Sequence, residues 1–161
     1  MLQKIGVNLK HSRINLFFMN KTIVALLRIS LGFIFLWAFA DKTFGLGFAT
    51  TSANAWINGG SPTYGFLTFA TKGPFADFFK SLAGNNFVDI VFMAGLLFVG
   101  ATMLFNRFVK WGSIAGFLML VLMYLAVLLP ENNPILDDHI IYALVFLGIF
   151  SFSNNRNKEL V

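Results

Sequence analysis

The chain has 161 residues, 57% of them hydrophobic and 12% charged, with a mean hydropathy of +0.74. A soluble domain of this length carries about a quarter charged residues, whereas here the apolar residues gather into runs of about 20, the length of a bilayer-crossing helix. The net charge of +5 sits beside those runs and not in one dense basic face, so no nucleic-acid interface is expected, and the lack of Cys excludes disulfides, CxxC relays, Fe–S clusters and thiolate metal sites.

Residues 1–21 form a basic tail carrying Lys4, Lys10, Arg13 and Lys21. The first apolar span follows at Thr22–Ala40. Ala53-Asn54-Ala55 has the small-x-small form of a cleavage site, but it lies far past the apolar run, so the span reads as a retained helix and not a signal peptide. The connection from Asp41 to Asn86 is too long and too apolar for a simple loop. Ser61-Pro62 reads as an N-cap with Pro at the first helical position, predicting a short helix over Pro62–Ala70. Gly73-Pro74 opens a second, Phe75–Leu82, stopped by Gly84, with Phe75, Phe78, Phe79 and Leu82 on one face. Further spans are expected at Phe87–Phe105, Phe108–Leu129 and Ile135–Ser153, the second and third joined so tightly that they must form an antiparallel hairpin. A polar tail, 154–161, ends the chain.

These elements make an all-α membrane protein, a four-transmembrane-helix bundle with short outer-face helices in the loop after the first span. Helices are the expected way to satisfy every backbone group in lipid, since the runs lack the alternation of barrel strands. Eight basic residues (Lys4, Lys10, Arg13, Lys21, Arg107, Lys110, Arg156, Lys158) lie on the side of the tails and only three (Lys42, Lys72, Lys80) on the other. Both termini are therefore expected in the cytoplasm of a prokaryotic inner membrane.

Titratable groups near lipid are functional candidates because burying them is costly. Arg28 lies inside the first span, on a stripe with Gly32, Phe35, Phe39 and Lys42. It either faces the bundle to hold an anion or quinone oxygen, or snorkels to the cytoplasmic interface. Asp89 sits three residues after Asn86, where an Asn86 N-cap and the helix dipole would account for it. Pro134, Asp137 and Asp138 suit the start of the fourth span, with His139 and Tyr142 one turn apart behind them. Asp138, His139 and Tyr142 are read as a polar surface at the outer mouth, where an imidazole beside a carboxylate can exchange protons near neutral pH. Trp37, Trp56, Trp111 and Tyr64 read as interface anchors, with Trp37 or Phe39 also placed to stack on a flat ring. Gly112-x-x-x-Gly116 signals close packing within the chain.

Two His residues, His11 in the basic tail and His139 near the outer face, cannot ligate one haem within the span. No Gly-rich dinucleotide fingerprint or P-loop is present, and no flavin or metal site is evident. Electrons passing through this chain would be handled by a bound organic carrier or another subunit.

Leu27-Arg28-Ile29-Ser30-Leu31-Gly32-Phe33 followed by Asp41-Lys42 resembles the opening of DoxX/DoxD membrane proteins. Trp56-Ile57-Asn58-Gly59-Gly60-Ser61-Pro62-Thr63 and Asn133-Pro134…Asp138-His139 resemble the same family, over about Thr22 to Phe150. The resemblance implies a four-helix membrane fold and kinship with the small membrane subunit of thiosulfate:quinone oxidoreductase. It carries no agreed catalytic motif.

Two function classes follow, with a third behind them. In a quinone-linked redox subunit, His139 and Asp138 would move protons, while Arg28 or Lys42 would stabilise an oxyanion and Trp37, Asp89 and Tyr142 would contact the head group. In a non-catalytic accessory or assembly subunit, the same groups cap helices and meet a second redox subunit or another copy of the chain. A small-solute transporter fits less well, because four helices show no inverted repeat.

Overall fold

The computed structural model describes residues 2–130, 133 and 135–158, with side chains described from 21 to 154 except at 131, 132 and 134. The expectations placed on Lys4, Lys10, His11, Arg13, Pro134, Arg156 and Lys158 fall outside the described side chains.

The first helix, α1, runs Leu2–Phe44, so the basic tail is continuous with the first apolar span. It stops where Gly45 turns left-handed at φ +65° and its N–H reaches the Asp41 carbonyl at 2.8 Å. A side chain there is doubly excluded, because a Cβ would lie 2.5 Å from Ser52 Cα. The chain then makes two 3₁₀ turns, Ser52–Asn54 and Trp56–Asn58, a π-helical turn Phe66–Ala70, and the short helix α2, Ala76–Ser81. Three long helices follow: α3 (Asn86–Leu104), α4 (Val109–Ala126) and α5 (Asp138–Lys158).

Packing fixes the topology. Gly32 of α1 lies against Met103 and Leu104 of α3, while Lys42 lies over the Phe92 ring, so α1 and α3 are antiparallel. Gly112 meets Thr102, whereas Gly95 meets Met119, which sets α4 antiparallel to α3. Gly116 meets Phe146, and Lys110 donates to Asn154 Oδ1 at 2.8 Å, so α5 returns along α4. Phe35 and Phe146 close the ring of helices, their centroids 5.5 Å apart and edge-to-face. Phe146, Met93, Met103 and Val99 are fully buried at the centre, with Leu31, Leu96, Leu120 and Ile149 around them.

The expected Gly112–Gly116 packing lies within the chain, each glycine serving a different neighbour. A Cβ at Gly116 would sit 2.5 Å from Phe146 Cζ, so the glycine is what lets this ring fill the centre of the bundle. The α3–α4 turn is four residues, 105–108, with Asn106 and Phe108 both left-handed (φ 56° and 55°). Asn tolerates that conformation; for Phe it stores strain.

Among the described residues, three helical stretches are long and apolar enough to cross a membrane: Lys21–Phe44, Asn86–Leu104 and Val109–Ala126. Their outer faces expose large apolar side chains such as Leu26 (61%), Phe33 (61%) and Leu122 (55%). A water-facing surface of this kind is untenable at such extent, whereas lipid suits it. The apolar part of α5 is shorter, Asp138–Asn154. At 1.5 Å per residue it spans about 26 Å, against about 30 Å of hydrocarbon. It starts three residues later than the sequence suggested because Asp137 is its cap: Oδ1 accepts from the Ile140 N–H at 3.2 Å. Likewise α4 ends at Ala126 and not Leu129, since the residue before Pro130 is barred from helical geometry and Leu129 turns left-handed (φ 64°).

The bundle thus has two unlike ends. The turn end carries residues 105–108. The loop end is covered by the 45–85 connection, held by a second small core of Leu67, Phe79 and Ala126 with Phe66, Leu82 and Val88 around it. The Lys72 N–H also donates to the terminal Ala126 carbonyl of α4 at 3.0 Å. On α2, Phe79 and Leu82 turn inward, while Phe75 and Phe78 stay exposed.

Candidate functional site at the loop end

Asp41, Lys42 and Asp89 meet under the covering loop, and each is held by a different part of it. Asp41 is 2% exposed; its Oδ1 accepts from the Phe48 N–H at 3.2 Å and its Oδ2 from the Ala49 N–H at 2.9 Å. This carboxylate shapes the turn that follows α1. Asp89 is equally buried and accepts three hydrogen bonds on Oδ1: Ser61 Oγ at 3.0 Å, the Thr63 N–H at 3.1 Å and Thr63 Oγ1 at 2.6 Å. Lys42 donates to the Pro62 carbonyl at 2.9 Å, lies 6.0 Å from the Phe92 ring centroid, and feels the charges of both Asp41 and Asp89.

The Asn-Gly-Gly-Ser-Pro-Thr segment is therefore clasped from two helices, by Lys42 of α1 and Asp89 of α3. Asp89 does lie in the first turn of α3, as expected, and in addition holds the loop; Asn86, however, is not the cap of α3. Asn85 performs the capping, its Oδ1 accepting from Phe87 and Val88 N–H at 2.9 and 3.4 Å. Ser61 does not cap a helix either. A buried carboxylate needs donors, and the Ser61 hydroxyl supplies one of them, leaving a turn at 62–63, with helical geometry from Tyr64 that becomes π-helical over Phe66–Ala70.

At the start of α5 the imidazole pairs with Asp137 and not with Asp138: His139 Nδ1 and Asp137 Oδ2 are 2.6 Å apart. Asp137 thus uses one oxygen to cap the helix and the other to orient the ring. Asp138 is exposed, and Tyr142 is half-buried against the main core. The segment before α5 is tied down by Asn133 Oδ1, which accepts from Ile135 and Leu136 N–H, and by the Tyr124 hydroxyl donating to the Ile135 carbonyl at 2.7 Å. Trp37 is 39% exposed and rests on its own neighbours, stacked on Phe33 at 5.9 Å and edge-on to Phe48 at 5.1 Å. It faces outward from the bundle.

Arg28 belongs to the other end. One of its guanidinium nitrogens spans the Met103 and Leu104 carbonyls, the latter at 3.4 Å, and so caps the C-terminus of α3. It shares a cavity wall with Ser153, fourteen residues along α5 from His139, which is about 21 Å along the helix axis. The stripe of Arg28, Gly32, Phe35, Phe39 and Lys42 does face the bundle, but its two cations serve opposite ends.

Sequence reasoning passed over Asp41, Thr63 and Asp137 as partners. The signal available was the run of small and turn-forming residues at 45–52 and 59–63, whose backbone donors need acceptors close by. Among the described residues, no group of three His, Cys, Asp or Glu converges as a metal site would require. What the loop end can do chemically is offer a cation at a polar rim together with an oriented imidazole–carboxylate pair. Comparison with protein-family models, curated proteins and solved structures returned no match.

Proposed function

We propose that the chain is a four-span helix bundle of a prokaryotic cytoplasmic membrane, with both termini cytoplasmic, and that its loop end serves a quinone-linked redox complex. The observation that carries this reading is Lys42, a cation held beneath a cap by the Pro62 carbonyl and the Phe92 ring. A primary ammonium has three donors, so the carbonyl at 2.9 Å engages one of them. An ammonium in a setting of low dielectric stabilises a developing oxyanion strongly. Reduction of a quinone by two electrons puts negative charge on its ring oxygens, and two protons complete the quinol. Lys42 would stabilise that charge, the His139–Asp137 pair, 2.6 Å apart, would deliver one proton, and water at the outer rim would supply the second. The electrons would come from a partner redox subunit. With the bilayer locally thinned around the shorter α5, all four long helices would reach across.

A second reading, an accessory or assembly subunit, draws on a different observation. Asp41 and Asp89 are engaged in holding the loop, and α1 presents Phe33, Trp37 and Leu26 outward, where another subunit would pack. The two separate on one measurement. The purified chain should bind a quinone analogue, and His139→Ala should weaken that binding about tenfold, the loss of about one hydrogen bond. Absence of binding by the unmodified chain, with a stable second protein recovered in a quantitative pull-down, would leave the accessory role.

A further inference from the structure

At the turn end a cavity of about 170 Å³ lies between α1, α4 and α5. Its wall joins two cations, Lys21 and Arg28, to polar Asn106 and Ser153 and to apolar Ile149 and Phe152, with no carboxylate among the described residues that line it. The Arg28 guanidinium is a planar fork of five N–H donors. Its anchorage on the Met103 and Leu104 carbonyls sets the plane in which the group borders the cavity. Lys21 is exposed, seven positions earlier on α1 and so about 10 Å nearer the helix start. Lys110, also at this end, is turned to Asn154 Oδ1.

A guanidinium and an ammonium on one wall, with an amide and a hydroxyl nearby, make a donor set suited to a tetrahedral oxyanion. The apolar side of the wall suits what such a group carries when it belongs to a lipid. Basic pockets between membrane helices hold anionic headgroups in this way. We propose that this cavity binds a net-negative phosphate group, supplied either by an anionic phospholipid headgroup or by free phosphate.

The test uses the purified full chain in detergent, titrated at constant ionic strength with short-chain phosphatidylglycerol, phosphatidylcholine of the same chains, and inorganic phosphate, each followed by the thermal midpoint. Phosphatidylglycerol should raise the midpoint more than phosphatidylcholine does. Half-saturation should need about fivefold more lipid in Lys21→Gln, the effect of one basic residue at a headgroup. Lys80→Gln, at the loop end, should titrate as the unmodified chain does. A Lys21-dependent response to inorganic phosphate makes free phosphate a sufficient source; a response to phosphatidylglycerol alone makes it the lipid. Equal responses to the two lipids with none to phosphate, or titrations unaltered by Lys21→Gln, would overturn the proposal. The lipid source rests on α1 crossing a bilayer, whereas the phosphate arm does not. Neither arm involves the loop end, so failure here leaves the quinone reading standing.

Discussion

The two ends of the bundle use charge in opposite ways. At the loop end, carboxylates and a lysine reach out of α1 and α3 to hold a long connection in place: Asp41 on Phe48 and Ala49, Asp89 on Ser61 and Thr63, Lys42 on Pro62. At the turn end the connection is only 105–108 and needs no such holding, so Arg28 instead satisfies the final carbonyls of α3. A long loop over a membrane bundle carries many backbone donors and acceptors, and buried ones must be paired. The charged residues are where that demand is met, which is why they concentrate beneath the loop. Lys42 and His139 stand out because their arrangement also suits chemistry.

The largest expected effect lies at the loop end. Asp89→Ala removes the acceptor of three hydrogen bonds and leaves the buried Thr63 hydroxyl and N–H unpaired. It should cost about 3 kcal/mol of stability, read as a lowered thermal midpoint and faster proteolysis within 45–85. An unchanged cleavage rate there would contradict the clasp. Next comes the turn end, where Arg28→Met should cost about 1–2 kcal/mol through the exposed α3 carbonyls, with cleavage of the 45–85 loop unaltered. The smallest contrast separates two neighbours. Asp137→Ala should lose about 1 kcal/mol as a helix cap, while Asp138→Ala should stay within about 0.5 kcal/mol as a surface change. Equal losses in the two variants would misplace the start of α5.

Much of the architecture was legible from apolar run length alone, because a helix in lipid must be apolar over its whole circumference and not on one stripe. Helix ends were read less well. Asn85 and Asn86 are both competent caps, and only the turn through Gly84 selects the first. At α5, two adjacent carboxylates offer the same cap chemistry; once Asp137 takes it, Asp138 points away and His139 acquires a different partner. Asp89 was legible as a polar group at a helix mouth, but Ser61 and Asp89 are 28 residues apart, and no local pattern announces that they bond. Arg28 was open between facing inward and snorkelling. Its actual role depends on where α3 ends beside it, which is a tertiary fact.

The most direct test of the loop-end site compares quinone-analogue binding by the purified chain with that of Lys42→Met and Arg28→Gln. Binding should be saturable, weakened about tenfold by Lys42→Met and unchanged by Arg28→Gln. Loss in Arg28→Gln with retention in Lys42→Met would move the site to the turn end and contradict the loop-end reading.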